Sequence, residues 1–578
     1  MLQDIQCDLL VIGAGAAGLS TAITASKRGL DVVVIEKEPV FGGTTALSGG
    51  VVWVPLNPHG RKQNPADTRE AVRTYMMQQT GAYYDAEAVE SFIENGPRMV
   101  EFFERETEVK FVPTMYPDYH PDTPGGVDVG RSILAAPYDI RGLGKDMARL
   151  KPPLETITFM GMMFNSSNAD LKHFFRATKS LTSFIYVAKR MAIHLKELAL
   201  YRRGINVTSG NALAARLAKS ALDLGIPILT SSPAKEILIE NDRVVGARVG
   251  GEGGERRITA RQGVVLACGG FPHDIKRIAK AYPHLARGGE HLSPTPTSNT
   301  GDGVNMAEAV GAVADIRFED SSAWMPVSRV PYGDGKFGVF PHLLDRYKPG
   351  VIGVLRSGER FTNESNSYHD VGAALIRACA GQKDTAMWLI CDKPTLAKYG
   401  LGYVKPAPMP TGALLRNGYL IEGDTLAELA KNAGIDPTSL ERTVRDYNVG
   451  AARGEDPAFG RGSTSFNRYL ADPDNQPNPC VAPVAKGPFF AVKVIMGDLG
   501  TFDGIRTSVV GEVLKRDGST IEGLYAVGND RESIMGGNYP GAGITHGPNM
   551  THGFVTGNHI ADKAVGSNVR PLQTTPRS

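Results

Sequence analysis

Cys7-Asp8-Leu9-Leu10-Val11-Ile12-Gly13-Ala14-Gly15-Ala16-Ala17-Gly18-Leu19 is an apolar run broken by a glycine turn. Cys7 to Ile12 reads as a buried strand, Gly13 to Gly18 as a turn, Leu19 to Arg28 as a helix, and Asp31 to Ile35 as a second strand ending at Glu36. That order is a complete βαβ unit. In the spacing Gly13-x-Gly15-x-x-Gly18 the first glycine permits the tight turn, the second lets backbone approach a pyrophosphate, and the third lets helix and strand pack closely. Ala16 and Ala17 open a helix whose free N–H groups and partial positive charge suit phosphates. Glu36, followed by Lys37, is placed to accept hydrogen bonds from ribose hydroxyls. The expected fold class is α/β, with a Rossmann-like dinucleotide-binding domain.

Working outward, the composition excludes several classes. The 578 residues carry 63 Lys and Arg against 61 Asp and Glu, a net charge of +2, so no global field attracts nucleic acid. Cys7, Cys268, Cys379, Cys391 and Cys480 are odd in number, widely spaced and free of any CxxC pair. A disulfide framework and a metal site are therefore not expected. The first apolar run already belongs to the fold, without a basic leader, which points to a cytoplasmic location. No stretch reaches the ~18 uncharged apolar residues that a membrane span needs.

Further along, residues 66 to 107 have a helical pattern, and the Pro-, Gly- and Asp-rich stretch from Phe111 to Gly126 reads as a long irregular loop. A helical insertion is expected over about 130–205. Within it, Phe159-Met160-Gly161-Met162-Met163-Phe164 and the run from Leu171 to Arg203 interleave basic, aromatic and aliphatic residues. The run reads either as core-packed helices or as a lipid-facing, substrate-entry surface, which leaves peripheral contact with the inner face of a membrane open. From about Trp324 to Leu499 the pattern is β-rich and punctuated by proline.

FAD, rather than NAD, is indicated by Gly42-Gly43-Thr44-Thr45-Ala46-Leu47-Ser48-Gly49-Gly50, a second close backbone approach rich in hydroxyls. This run resembles the flavin-wrapping segment of the fumarate reductase-like FAD-binding flavoproteins. Three more pieces match in order: Leu266-Ala267-Cys268-Gly269-Gly270-Phe271, Thr300-Gly301-Asp302-Gly303, and Gly523 to Asp530 with its Gly528-Asn529 turn. The resemblance implies an FAD domain assembled from both ends of the chain, 1–324 and 499–578, with an inserted α+β catalytic capping domain over 325–498. Its cofactor contacts include Ala234, Gly543 and Ile544, and no motif for covalent flavin attachment is present.

Carboxylate-reducing members carry a His-Pro-Thr element after the Thr-Gly-Asp-Gly helix, where this chain has Phe318 to Pro326 without histidine. The chain instead resembles the 3-ketosteroid dehydrogenases. Tyr119 lies in Tyr116-Pro117-Asp118-Tyr119-His120-Pro121, Tyr368 follows Arg360 to Ser365, and Tyr539 heads Tyr539-Pro540-Gly541-Ala542-Gly543. These positions match the three tyrosines and the glycine of the Δ1-dehydrogenases. The resemblance implies Tyr539 O–H and Gly543 N–H as donors to the 3-carbonyl oxygen of a 3-ketosteroid. It also implies Tyr368 as the base at carbon 2, and Tyr119 either as a hydrogen-bond partner of its phenolate or as a proton relay. A phenol held as phenolate at pH 7 costs about 4 kcal/mol without help. Trp324, Met325, Phe340 and Met160 to Met163 read equally as lining for the apolar steroid body and as ordinary core.

Asn538 and His546 depart from the family wording, so Δ4-(5α) regiochemistry stays open, although members of that kind tend to carry Ser where Gly541 stands. His546 reads as a structural histidine or as a group tuning the flavin. An enoate- or fumarate-type reductase would need an arginine over the flavin, with Arg356, Arg360 and Arg531 as candidates. A flavin-storing or electron-relay protein is the non-enzymatic alternative. The implied partners are a 3-ketosteroid and a quinone- or dye-like electron acceptor.

Overall fold

A computed structural model describes residues 3–163, 173–174 and 180–566. Ile5–Ile12 is buried over six consecutive residues because both faces of its sheet are covered, as the unbroken apolar run requires. This strand pairs in parallel with Val32–Ile35 on one side and Gly254–Leu266 on the other. Ile228–Leu229 and Thr520–Ala526 extend the sheet in parallel, and Glu512–Leu514 closes one edge antiparallel. Arg243–Gly251 and Ala234–Glu240 form an antiparallel extension. Strands from both ends of the chain thus share one sheet, and the domain built on it is discontinuous in sequence.

Helix Ala16–Lys27 packs closely on the last helix, His546–Gly566. Gly553 and Gly557 make the approach possible: a Cβ added at either would stand 2.7 or 2.9 Å from the carbonyl oxygen of Ala17 or Thr21. The last helix is thereby fixed against the first turn of the chain.

The second sheet is antiparallel, ordered Lys336–Pro341, Ser322–Gly333, Phe489–Thr501, Ala386–Asp392 and Ile352–Val354, with Ile421–Gly423 also on Phe489–Thr501. Ser322 pairs with Thr501, so the chain leaves the domain of the first sheet and returns to it on neighbouring strands. The inserted region is more helical than its β-rich sequence suggested, since Tyr368–Ala378, Leu426–Ala433 and Pro437–Ala451 are helices packed on this sheet or beside it.

Two other expectations change. The helical stretch 66–107 is two helices, Arg69–Thr80 and Ala86–Glu106, parted at Gly81, whose φ of 53° no β-carbon tolerates well. The described part of segment 130–205 mixes element types: it holds the strand Ser132–Ala135, 3₁₀ turns, helical residues at 173–174 and the helix Leu181–Tyr201. Phe164 and most of 171–179 fall outside the described residues.

Candidate active site

The nucleotide groove is built from turns at the carboxyl ends of the parallel strands. A Cβ on Gly13 would lie 2.1 Å from the Ala267 carbonyl oxygen, and one on Gly18 would lie 2.1 Å from the Gly13 oxygen, so these glycines serve close packing. Gly15, Gly43 and Gly49 are different. The nearest protein atoms to a Cβ there are Thr45 Oγ1 at 4.0 Å, the Gly15 Cα at 3.7 Å, and nothing within 4 Å, respectively. The groove thus has the backbone-lined shape that a dinucleotide cofactor needs, and the residues present fit FAD. Thr45 Oγ1 accepts the Ala16 N–H at 3.1 Å, which places Gly42-Gly43-Thr44-Thr45 against the helix N-terminus. Ser48 O–H donates to the Thr45 carbonyl and accepts the Gly50 N–H, fixing the turn.

Glu36 accepts N–H groups from Ala14 at 3.1 Å and Glu38 at 3.0 Å. Burial pushes its carboxyl upward and these donors pull against that. Amides of Ser231 and Ser232 bind the carbonyls of Glu38 and Glu36, which brings Ala234 beside the same strand end. Lys37 pairs with Asp302 at 2.6 Å and with the Thr300 hydroxyl, so the Gly301-Asp302 turn joins the groove. Gly269 packs on Asn299, whose side chain donates to Thr44 Oγ1. Gly528 faces Ala17, and Asn529 accepts from Asn549 in the first turn of the last helix.

Two residues escaped the sequence reading. Asp530 accepts the N–H groups of Cys268 at 2.6 Å and Gly270 at 2.9 Å, tying two glycine segments that lie 260 residues apart. Asn299 bridges two others. Asp530 ends the Gly523 to Asp530 segment and Asn299 precedes Thr300, and that placement was the available signal. Burial drives the Cys268 thiol far above its usual range, which disfavours the thiolate.

The three tyrosines come together. Tyr119 and Tyr368 hydroxyls lie 3.3 Å apart. The Tyr119 and Tyr539 rings stack at 5.5 Å, and Tyr368 and Tyr539 meet edge to face at 5.0 Å. All three are buried, with Phe466 against Tyr119 and Phe502 and His369 beside Tyr539. One carbonyl sews two of the segments together: the Tyr119 backbone N–H and the Tyr75 side-chain O–H both donate to the Pro540 oxygen. Asp118 anchors that loop by accepting from Trp53 Nε1 at 2.8 Å and from the fully buried Arg131 at 2.7 Å. Tyr368 opens the helix Tyr368–Ala378, capped by Ser367.

Burial pushes all three phenols above their ordinary range, and the neighbouring phenols push Tyr368 further. Gly543 sits at φ +95°, with room for no β-carbon, since Val51 carbonyl atoms would be 2.5 Å away. Its carbonyl accepts the Trp53 N–H, while its own N–H has no acceptor among the described residues. Ile544 is buried beside it.

Other assignments are redistributed. Trp324 is fully buried, donates to Asp320 and packs on Tyr282, in a core separate from the tyrosines; Phe340 joins the same core. Met325 shares the tyrosines' cluster. Met160 is exposed, and Met162 and Met163 line a cavity of about 330 Å³ under helix Leu181–Tyr201 that no tyrosine reaches. Arg356 pairs with Asp384, and Arg360 is locked between Glu364 and Asp456 at 2.7 and 2.8 Å, so neither is free to clamp a substrate. Arg531 is buried beside Gly528 and Asn529, and its Nη1 has no hydrogen-bond partner. His546 Nδ1 meets the Val51 carbonyl at 3.0 Å, and burial pulls the ring below the usual histidine range.

Among known proteins, residues 8–545 match the FAD binding domain family. The chain is 43% identical to 4-oxocyclohex-2-ene-1-carboxylate 5-dehydrogenase of Sinomonas cyclohexanicum, over 97% of this chain and 94% of that protein. It is 36% identical to 3-oxosteroid 1-dehydrogenase of Mycobacterium tuberculosis, over 96% and 98%. The crystal structure of 3-ketosteroid delta1-dehydrogenase from Sterolibacterium denitrificans with 1,4-androstadiene-3,17-dione superposes with a TM-score of 0.87 at 32% identity, covering 96% of this chain and all of that one. The protein is thus an FAD-dependent oxidoreductase acting on CH–CH groups, and the chain belongs to the 3-ketosteroid dehydrogenase family of the fumarate reductase-like FAD-binding flavoproteins.

Proposed function

We propose that the protein desaturates the bond α,β to a ring ketone, and that its substrate is a 3-ketosteroid dehydrogenated between carbons 1 and 2. The observation that carries this is the meeting of Tyr119, Tyr368 and Tyr539 beside a Gly543 N–H that no protein group occupies. A ketone oxygen between Tyr539 O–H and that amide gains two donors where enolate charge develops. Tyr368 is the base for the α-proton. A standing phenolate is disfavoured by burial, so Tyr368 accepts the proton while handing its own to Tyr119 across the 3.3 Å contact, and Tyr119 releases its original O–H proton to solvent in the same step. When bound, FAD supplies the two-electron acceptor for the hydride leaving the β-carbon. An external quinone- or dye-like acceptor then takes the electrons onward.

Δ1 rather than Δ4 regiochemistry is supported at Gly541, where a Cβ would stand 2.6 Å from Trp53 Nε1 and a serine has no room. The segments 1–324 with 499–578 and 325–498 are the domains between which the substrate sits. Helix Leu181–Tyr201 leaves Leu181 75% and Leu200 63% exposed among basic residues, which supports its lying on a lipid surface through which an apolar steroid arrives. Among the described residues no helix is long and apolar enough to cross a membrane.

A second reading has its own support. The 43%-identical relative is named for a cyclohexenone carboxylate dehydrogenated next to its ring ketone, and the acceptor-free Nη1 of Arg531 suits a carboxylate. Anaerobic mixing with a 4-ene-3-ketosteroid is expected to bleach the flavin and yield the 1,4-diene. Bleaching by 4-oxocyclohex-2-ene-1-carboxylate alone, lost in Arg531→Gln, establishes the second reading and removes the first.

A further inference from the structure

Each of the three phenols has a polar neighbour one or two positions away in sequence: His120 after Tyr119, Asp370 after Tyr368, and Asn538 before Tyr539. These neighbours converge outside the phenol cluster on Gln79 of helix Arg69–Thr80. His120 Nδ1 lies 2.6 Å from Gln79 Oε1, and its Nε2 lies 2.9 Å from Asp370 Oδ2. Asn538 Nδ2 donates to the Gln79 carbonyl at 2.8 Å and to Oε1 at 3.2 Å, while Asn538 Oδ1 accepts the Tyr539 N–H at 2.8 Å. The Ser367 hydroxyl donates to Asp370 Oδ2 at 2.8 Å, tying the carboxylate to the cap of the helix that begins at Tyr368. None of these bonds is required to build either sheet.

We infer that Gln79, His120, Asp370 and Asn538 form a clasp that fixes the spacing of Tyr119, Tyr368 and Tyr539, acting as positioning residues that do not touch the substrate. The amide oxygen of Gln79 and the carboxylate of Asp370 can only accept, so both nitrogens of His120 donate and its ring is an imidazolium. The clasp is therefore charge-assisted at its centre and depends on a proton. The groups around His120 agree. Asp370 and the Ser367 hydroxyl face it from the catalytic helix, Gln79 and the Tyr75 hydroxyl from helix Arg69–Thr80, and Asp118 from its own loop. His369 is kept neutral by burial and adds no competing cation. Burial opposes the charge on His120, but Asp370 outweighs it and lifts His120 above its ordinary range, while His120 holds Asp370 below its own. A group raised in this way keeps its bond below its folded pKa, so the clasp weakens as pH rises through the titration of His120.

The inference rests on the proposed desaturation for its kinetic reading, so two independent measurements test it on purified holoenzyme. Flavin reduction by a 4-ene-3-ketosteroid is followed in single turnover for wild type, Asp370→Asn and Asp370→Glu. Asp370→Asn is expected to slow reduction about 10- to 100-fold, the effect of displacing a reacting group by about 1 Å, with KM changed less than about 3-fold. Asp370→Glu is expected to recover most of the rate, and the loss of wild-type rate above the His120 titration is expected to vanish in Asp370→Asn. Amide hydrogen exchange of peptides covering 116–121 and 536–541 gives the second reading, with faster exchange in Asp370→Asn and no change elsewhere in the chain. Wild-type kinetics in Asp370→Asn, or an Asp370→Glu as slow as Asp370→Asn, overturns the clasp. If no ring ketone bleaches the wild-type flavin, the proposed function falls and exchange alone decides: unchanged exchange in those two peptides overturns the clasp, and faster exchange upholds it. Asn538→Ala, which opens one arm from a loop, takes the same measurements if Asp370→Asn does not yield holoenzyme.

Discussion

The nucleotide groove and the phenol cluster lie in one molecule but are built on opposite plans. The groove is made of backbone: glycine turns at strand ends, a helix N-terminus capped by Thr45, and a carboxylate held by two N–H groups. The phenol cluster is made of side chains from three segments far apart in sequence, held by buried pairs such as Asp118 with Arg131 and Arg360 with Glu364. A backbone site is specified locally, because each turn needs only its own residues. A side-chain site is specified globally, because its geometry exists only after both sheets and the last helix have packed. The groove should therefore fail by losing its fold or its ligand, and the cluster by losing rate with the fold intact.

The largest effect is expected at the groove. Gly13→Ala drives a β-carbon to 2.1 Å from the Ala267 carbonyl at a backbone φ of +115°, so no FAD-loaded, folded protein is expected from expression. Gly49→Ala meets no protein atom within 4 Å, and its thermal midpoint without cofactor should match wild type while FAD retention falls. Flavin absorbance per protein together with calorimetry separates the two. If Gly49→Ala also unfolds, the division between packing glycines and cofactor-facing glycines is wrong.

The next effect belongs to the cluster. Tyr368→Phe removes the proton acceptor and is expected to lower kcat about 10³-fold, within the range for a general base, with FAD content and thermal midpoint unchanged. Tyr539→Phe removes one of two donors to the ketone oxygen and is expected to cost about 10²-fold in kcat, with Gly543 retaining the rest. A Tyr539→Phe slower than Tyr368→Phe would mean that carbonyl polarisation, not proton removal, is the harder step.

This contrast also explains what could be read from sequence. The groove was legible because Gly13, Gly15, Gly18 and Glu36 declare strand, turn, helix and strand within one short stretch. Trp324 stayed undecided in sequence because its aromatic character suits a pocket wall and a core equally, and only packing on Tyr282 and His284 settles it as core. Asp530 and Asn299 were missed because their partners, Cys268, Gly270 and Thr44, are reached through space. The tyrosines were found by resemblance to a family. Periodicity carries no trace of them, since Tyr119 lies in an irregular loop and Tyr368 is set by a helix cap. The pairing of His120 with Asp370 had no sequence signal, the two being 250 residues apart.

The remaining effect, no larger than that of Tyr539→Phe, is the most diagnostic of how the proton leaves. Tyr119 O–H sits 3.3 Å from Tyr368 O–H, while burial and the neighbouring phenols hold Tyr368 well above its ordinary range. If Tyr368 had to ionise before reacting, the rate would climb with pH across the neutral range, because the reactive fraction would grow tenfold per unit. If Tyr368 passes its proton to Tyr119 as it takes one from carbon, and Tyr119 sheds its own to solvent, the neutral pair is already competent, and the rate should be nearly level until His120 titrates. Tyr119→Phe abolishes the relay and leaves only prior ionisation. Its flavin-reduction rate is expected to fall about 10²-fold at pH 7 and to recover steadily as pH rises, so that the gap from wild type narrows. A Tyr119→Phe profile parallel to wild type would show that the second phenol merely shapes the pocket, and the proton would then have to leave Tyr368 by another path.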